Sequence, residues 1–194
     1  MMAFIRALTN CGDLAVLLPL AGVMTLWVLL IRQPRMMLWW LVSLAICIGA
    51  TGILKIYFFA CPPLPDLHSP SGHTGFSILI YGGLTVAVAS AAIGWRRIVT
   101  IGIGAAFVIG IAVSRVVVEA HSIPEVLLGS VIGAIALYVF ARDYRREPPA
   151  TILLPPLIVV CAMLIVLLNG HQLRAEDFLH RIAVYFNVND WGCG

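Results

Sequence analysis

Ser69–Gly94 reads SPSGHTGFSILIYGGLTVAVASAAIG, and this stretch decides the class of the fold. Its polar head, Ser69–His73, is followed by Thr74–Gly94 without a single charge. A helix needs about 20 predominantly apolar residues to cross a bilayer, so the stretch reads as a spanning helix with a chemically equipped entrance. Polar groups that close to lipid are costly and mark function.

Working outward, five more stretches share the pattern: Leu14–Ile31, Met36–Phe59, Ile98–Val113, Ile123–Ala141 and Ile152–Leu168. Of 194 residues, 61% are hydrophobic and 11% charged; a soluble domain carries about 25% charged residues. The sequence therefore predicts an all-α polytopic membrane bundle, six transmembrane helices with short loops, forming a single domain over 1–194. Nothing remains for a separate soluble domain. The connections after the first, third and fifth spans hold Arg32 and Arg35, Arg96 and Arg97, and Arg142, Arg145 and Arg146. The positive-inside rule assigns that side to the cytoplasm. The opposite loops and both termini then face the periplasm or exterior, and a bacterial inner membrane is the expected location. The net charge of +3 records this loop bias and calls for no nucleic-acid partner. Arg6, Asp13 and the lack of a cleavage site argue against a signal peptide and for an uncleaved first span.

Met1–Gly12 carries Phe4, Ile5 and Leu8, enough for a short interfacial helix. Pro62, Pro63, Pro65 and Pro70 stiffen the loop Ala60–His73. A second loop, Ser114–Ser122, leads into Ser122-Ile-Pro124-Glu125, which reads as a capped helix start. Gly129-x-x-x-Gly133 offers a small-residue face for close helix contact. In the tail, 171–194, Ala175–Phe186 places Phe178, Leu179, Ile182 and Phe186 on one face of a C-terminal interfacial helix, with Trp191 as anchor. Cys47 and Cys161 fall mid-span as packing residues; Cys11, Cys61 and Cys193 share the outer side, where one disulfide among them would be allowed.

Three separated motifs carry a resemblance. Lys55-IYFFAC-Pro62-Pro63, Pro70-Ser71-Gly72-His73 and Ser114-Arg115-VVVEA-His121-SIP-Glu125 occur in order and on one side. The chain resembles the type 2 phosphatidic acid phosphatase family, integral-membrane lipid phosphatases that share a phosphate pocket with vanadium haloperoxidases. Their motifs are K-x6-R-P, P-S-G-H and S-R-x5-H-x3-D. The resemblance covers a five-span core, about 14–141, with an extra span at 152–168. It departs twice: Pro62 stands where the first motif has arginine, and Glu125 replaces the final aspartate.

The resemblance implies a metal-independent enzyme with no cofactor, hydrolysing a lipid phosphate or diphosphate drawn from the bilayer. His121 would be the nucleophile, giving a phosphohistidine, and Glu125, one helical turn on, would orient it. His73 would be the general acid. Lys55, Ser71, Gly72 and Arg115 would bind the phosphoryl group, His68 being the nearest stand-in for the missing arginine. Each residue also has a structural reading: Glu125 and Ser71 as helix caps, Lys55 as a snorkelling lysine, Arg115 as a headgroup anchor. Glu119 is an acid that would repel substrate unless turned away or paired. Two other functions fit the same residues: a lipid phosphotransferase using the same intermediate, and a weakened lipid-phosphate-binding protein. A small transporter fits less well, because the charges gather at one face instead of mid-membrane. Oligomeric state and the identity of the lipid are not encoded in one dimension.

Overall fold

The computed structural model describes residues 2–60, 67–144 and 153–173, with the side chains of 59 and 60 excluded. The expected tail helix, Trp191, Cys61, Cys193 and Pro62–Pro63 lie outside the described residues. Within them the elements are seven helices: α1 (Met2–Cys11), α2 (Leu14–Leu30), α3 (Pro34–Ala60), α4 (Gly72–Ala91), α5 (Trp95–Val117), α6 (Ile123–Tyr144) and α7 (Leu154–Leu168).

Each of the six apolar stretches contributes a helix among the described residues. Four helices, α3 to α6, are long and apolar enough to cross a bilayer; α1 and α2, bent by 41° at their junction, add a fifth if taken as one broken span. At 1.5 Å per residue, α2 reaches about 26 Å and α7 about 22 Å, against a hydrocarbon core of about 30 Å. Helix ends moved for local reasons. α3 begins at Pro34 because a first-turn proline sacrifices no helical N–H. α4 starts under the Ser71 cap and stops before Gly94, whose φ of +59° suits glycine. α5 runs four residues past Val113, so Ser114 and Arg115 ride on its last turn and not in a loop. The Ser114 hydroxyl meets its own helix, donating to the Ile111 carbonyl at 2.7 Å.

α4 sits centrally, packed against α5 and α6, with α3 packed mainly on α6 and also touching α4, and α2 between α7 and the core. In lipid there is no hydrophobic drive between helices, so close packing and small residues hold them. Trp40, Phe140 and Tyr144 are wholly buried at the arginine-rich end, Trp40 meeting Phe140 edge-on at 5.1 Å. Trp40 Nε1 donates to Thr25 Oγ1 at 2.8 Å. At that end, too, Arg35 pairs with Asp143 at 2.9 Å, tying α3 to α6.

The α4–α6 contact positions everything at the other end. A Cβ on Gly129 would collide with the Ser71 carbonyl oxygen, and one on Gly133 would lie 2.5 Å from the Gly75 carbonyl oxygen. The small-residue face of α6 is thus what lets the first turn of α4, with Ser71, Gly72 and His73, press against the first turns of α6. A second bond fixes the register: Ser71 N donates to the Glu125 carbonyl at 3.0 Å.

Candidate functional site

The site is built from four helix ends. α3 delivers Lys55, the head of α4 delivers Ser71 to His73, the end of α5 delivers Arg115, and the α5–α6 turn delivers His121 with Glu125. Lys55 is 4% exposed and Glu125 6%, an unusual depth for charged side chains.

Glu125 does two jobs at once. Its backbone N–H donates to Ser122 Oγ at 3.4 Å while Ser122 N donates back to Oε2 at 3.2 Å, the reciprocal pattern of a capping box. The same Oε2 lies 2.8 Å from His121 Nδ1. Oε1 accepts from the backbone N–H groups of His68 at 3.0 Å and Ser69 at 2.9 Å. One buried carboxylate therefore clamps the α6 start, the loop before α4 and the His121 ring. With Nδ1 occupied, Nε2 of His121 is the nitrogen left for a substrate.

Electrostatics at His121 favour the neutral ring. Burial pushes its pKa below the ordinary 6.5; hydrogen bonding and charge from Glu125 push it up, and Arg115 and Lys55 push it down again. Both cations thus act on His121 through their charge, more weakly than burial does. The His73 and His121 rings are neighbours, their centroids 6.4 Å apart and their planes tilted by 52°. Ser71 is wholly buried as the cap of α4, its Oγ 3.4 Å from Thr74 N and 3.0 Å from Thr74 Oγ1. Gly72 opens α4, so its N–H belongs to the helix's unsatisfied N-terminal set.

A cavity of about 920 Å³ opens beside these groups, lined in part by His73, Arg115, Glu119, Arg6 and Asp13. Lys55 and His121 sit deeper and do not line it. His68 is exposed, and it meets the site through its backbone N–H, which donates to Glu125, so this contact does not make its imidazole a stand-in for the absent arginine. Glu119 lines the cavity mouth instead of turning away, in a left-handed conformation of φ +56° that costs about 1–2 kcal/mol for a residue with a Cβ. Cys11 is a free thiol, its Sγ accepting from Asn169 Nδ2 at 3.2 Å.

Two residues escaped the sequence reading. Asp13 stood only as evidence against a signal peptide, yet its Oδ2 is 3.5 Å from His73 Nε2. Burial opposes its charge, but His73 and the N–H groups of Ala15 and Leu173 hold its pKa down to about 2, from 3.8. Arg6, counted only as a terminal basic residue, faces the cavity from α1. The available signal was position: an aspartate at a helix cap, next to the polar end of a bundle. Among the described residues, no group of three or more His, Cys, Asp or Glu is placed to hold a metal ion.

The family model of the PAP2 superfamily matches residues 55–149. This stretch is a PAP2 superfamily segment. It opens at Lys55 and takes in all three motifs, but begins well after the Leu14 start expected for the shared core. Among curated proteins and solved structures, none matches the chain. The match supports phosphatase- or phosphotransferase-type chemistry on phosphate esters, and the long apolar helices support an integral-membrane setting. Every residue gathered around the paired histidine rings, apart from Asp13 and Arg6, lies within the PAP2 segment.

Proposed function

We propose that the protein hydrolyses a lipid phosphate or diphosphate through a phosphohistidine, at the end of the bundle that faces away from the cytoplasm. The supporting observation is the buried His121–Glu125 pair, with the His73 ring as its neighbour and the charges of Lys55 and Arg115 acting on it. A phosphoryl group needs a nucleophile, a proton for the leaving oxygen and donors for the charge on its equatorial oxygens. His121 Nε2 attacks phosphorus, forming the N–P bond as the P–O bond to the lipid breaks. His73 gives its proton to the departing oxygen. Water then attacks the phosphohistidine, the N–P bond breaks, and the water's proton returns to His73, restoring both rings. Glu125 holds the His121 tautomer throughout, and Lys55, Arg115 and the Gly72 N–H balance the charge on phosphorus.

The lipid class follows from the setting. The polar rim of an apolar bundle gives a bilayer substrate a headgroup cavity with its tails still in lipid. The arginine-rich connections at the far end support a rim that faces away from the cytoplasm, and the membrane proposed is a bacterial inner membrane. The test is phosphate release from a panel of lipid phosphates in detergent with chelator present. Release that vanadate blocks and His121→Ala abolishes supports hydrolysis. Release that requires an added lipid alcohol identifies a transferase, and binding without release identifies a lapsed enzyme.

A further inference from the structure

We infer that Asp13, which lies outside the PAP2 segment, is the positioning residue for His73, so that the site holds two histidine–carboxylate pairs instead of one. The inference deepens the phosphatase reading and rests on it. Asp13 is the N-cap of α2, and capping alone would explain the bond from Ala15 N to Oδ1 at 2.9 Å. Capping does not explain the rest. Oδ1 also accepts from Leu173 N at 3.0 Å, so the backbone on both sides prevents the carboxylate from turning. Its second oxygen is thereby aimed at His73 Nε2, 3.5 Å away, with Asp13 only 7% exposed.

The ring nitrogens make this useful. With Nε2 toward Asp13, Nδ1 of His73 is the nitrogen left for other partners, and the two histidine rings lie with centroids 6.4 Å apart. A carboxylate behind the ring fixes its rotation and balances the positive charge while the ring carries its proton. The distance is long for a hydrogen bond, as such contacts often are before substrate binds. α1 buttresses the arrangement: Thr9 Oγ1 meets Ser114 Oγ at 2.6 Å, anchoring the chain just before Asp13 to the end of α5.

Asp13→Asn isolates the role, because asparagine caps a helix as well as aspartate and keeps an oxygen for the Ala15 and Leu173 N–H groups. The full-length protein in detergent is assayed for kcat/KM on dodecyl phosphate, whose alkoxide needs a proton to leave, and on 4-nitrophenyl phosphate, whose phenolate does not. Asp13→Asn is expected to lose about 10–100-fold on dodecyl phosphate, at least about tenfold more than on the nitrophenyl ester. Asp13→Glu recovers part of the loss, and Asp13→Asn adds nothing in a His73→Ala background. Equal losses on both esters, no loss on either, or full additivity with His73→Ala overturns the inference while leaving the phosphatase reading standing. A wild type no faster than His121→Ala overturns both.

Discussion

The two histidine–carboxylate pairs differ in almost every respect that matters. His121 and Glu125 are four residues apart on one helix start, 2.8 Å in contact, with the carboxylate held by three backbone N–H groups. His73 and Asp13 come from different helices, 3.5 Å apart, on the wall of an open cavity. The first pair is buried and tight, as a nucleophile that must keep one tautomer requires. The second is looser and wetter, which suits a group that passes a proton to a leaving oxygen and takes one back from water. A local contact supplies rigidity, and a long-range contact supplies the second role.

Replacing members of each pair should break this contrast in a definite order. His121→Ala should reduce phosphate release to background, since no other group is placed to attack. Glu125→Gln should follow, with a fall of about 10²–10⁴-fold in kcat from the lost tautomer control. It should also cost about 1–3 kcal/mol in thermal or denaturant unfolding, because an amide nitrogen cannot accept the N–H groups the carboxylate serves.

A packing change should disturb both pairs together. Gly129→Ala drives a methyl group into the Ser71 carbonyl and pushes the head of α4 away from α6. We expect a loss of about 1–3 kcal/mol in stability, read by thermal unfolding in detergent, and a fall in kcat larger than that of an alanine placed at Gly102, which has nothing within 4 Å.

The pH profile sharpens the comparison. In the proposed mechanism His121 attacks as the neutral ring, and burial pushes its pKa below 6.5, so the acid limb of kcat/KM should lie below that value. Lys55 pushes the His121 pKa down; Lys55→Met should therefore move the limb to higher pH. Glu125 pushes it up, so in Glu125→Gln the limb should move lower even as the rate falls. The smallest effect belongs to Arg6: Arg6→Ala should raise KM a few-fold with kcat nearly unchanged, because Arg6 lines the cavity proposed for the headgroup and not the paired histidines.

Much of the tight pair was legible in the sequence, and little of the loose one. His121, Ser122 and Glu125 sit within one helical turn, so a capping pattern and an i,i+4 spacing reveal them without tertiary knowledge. Gly129 and Gly133 announced a close helix contact in the same local way. Asp13 and His73 are brought together only by how α2 packs beside α4, which apolar helix faces do not encode in one dimension. Most helix ends were legible to within about a turn, whereas α5 is seven residues longer than its apolar stretch, Trp95–Val117 against Ile98–Val113. Ser114 and Arg115 read as loop residues by polarity, but serine can satisfy its hydroxyl on its own helix and arginine can reach from a last turn to a polar rim.

The most direct test of the paired-histidine site is covalent trapping with a lipid phosphate labelled on phosphorus, quenched in alkali within milliseconds. The account predicts a label on the wild-type chain that survives base, is released by acid and is absent from His121→Ala. Rapid phosphate release with no such label, or a label that persists in His121→Ala, would contradict it.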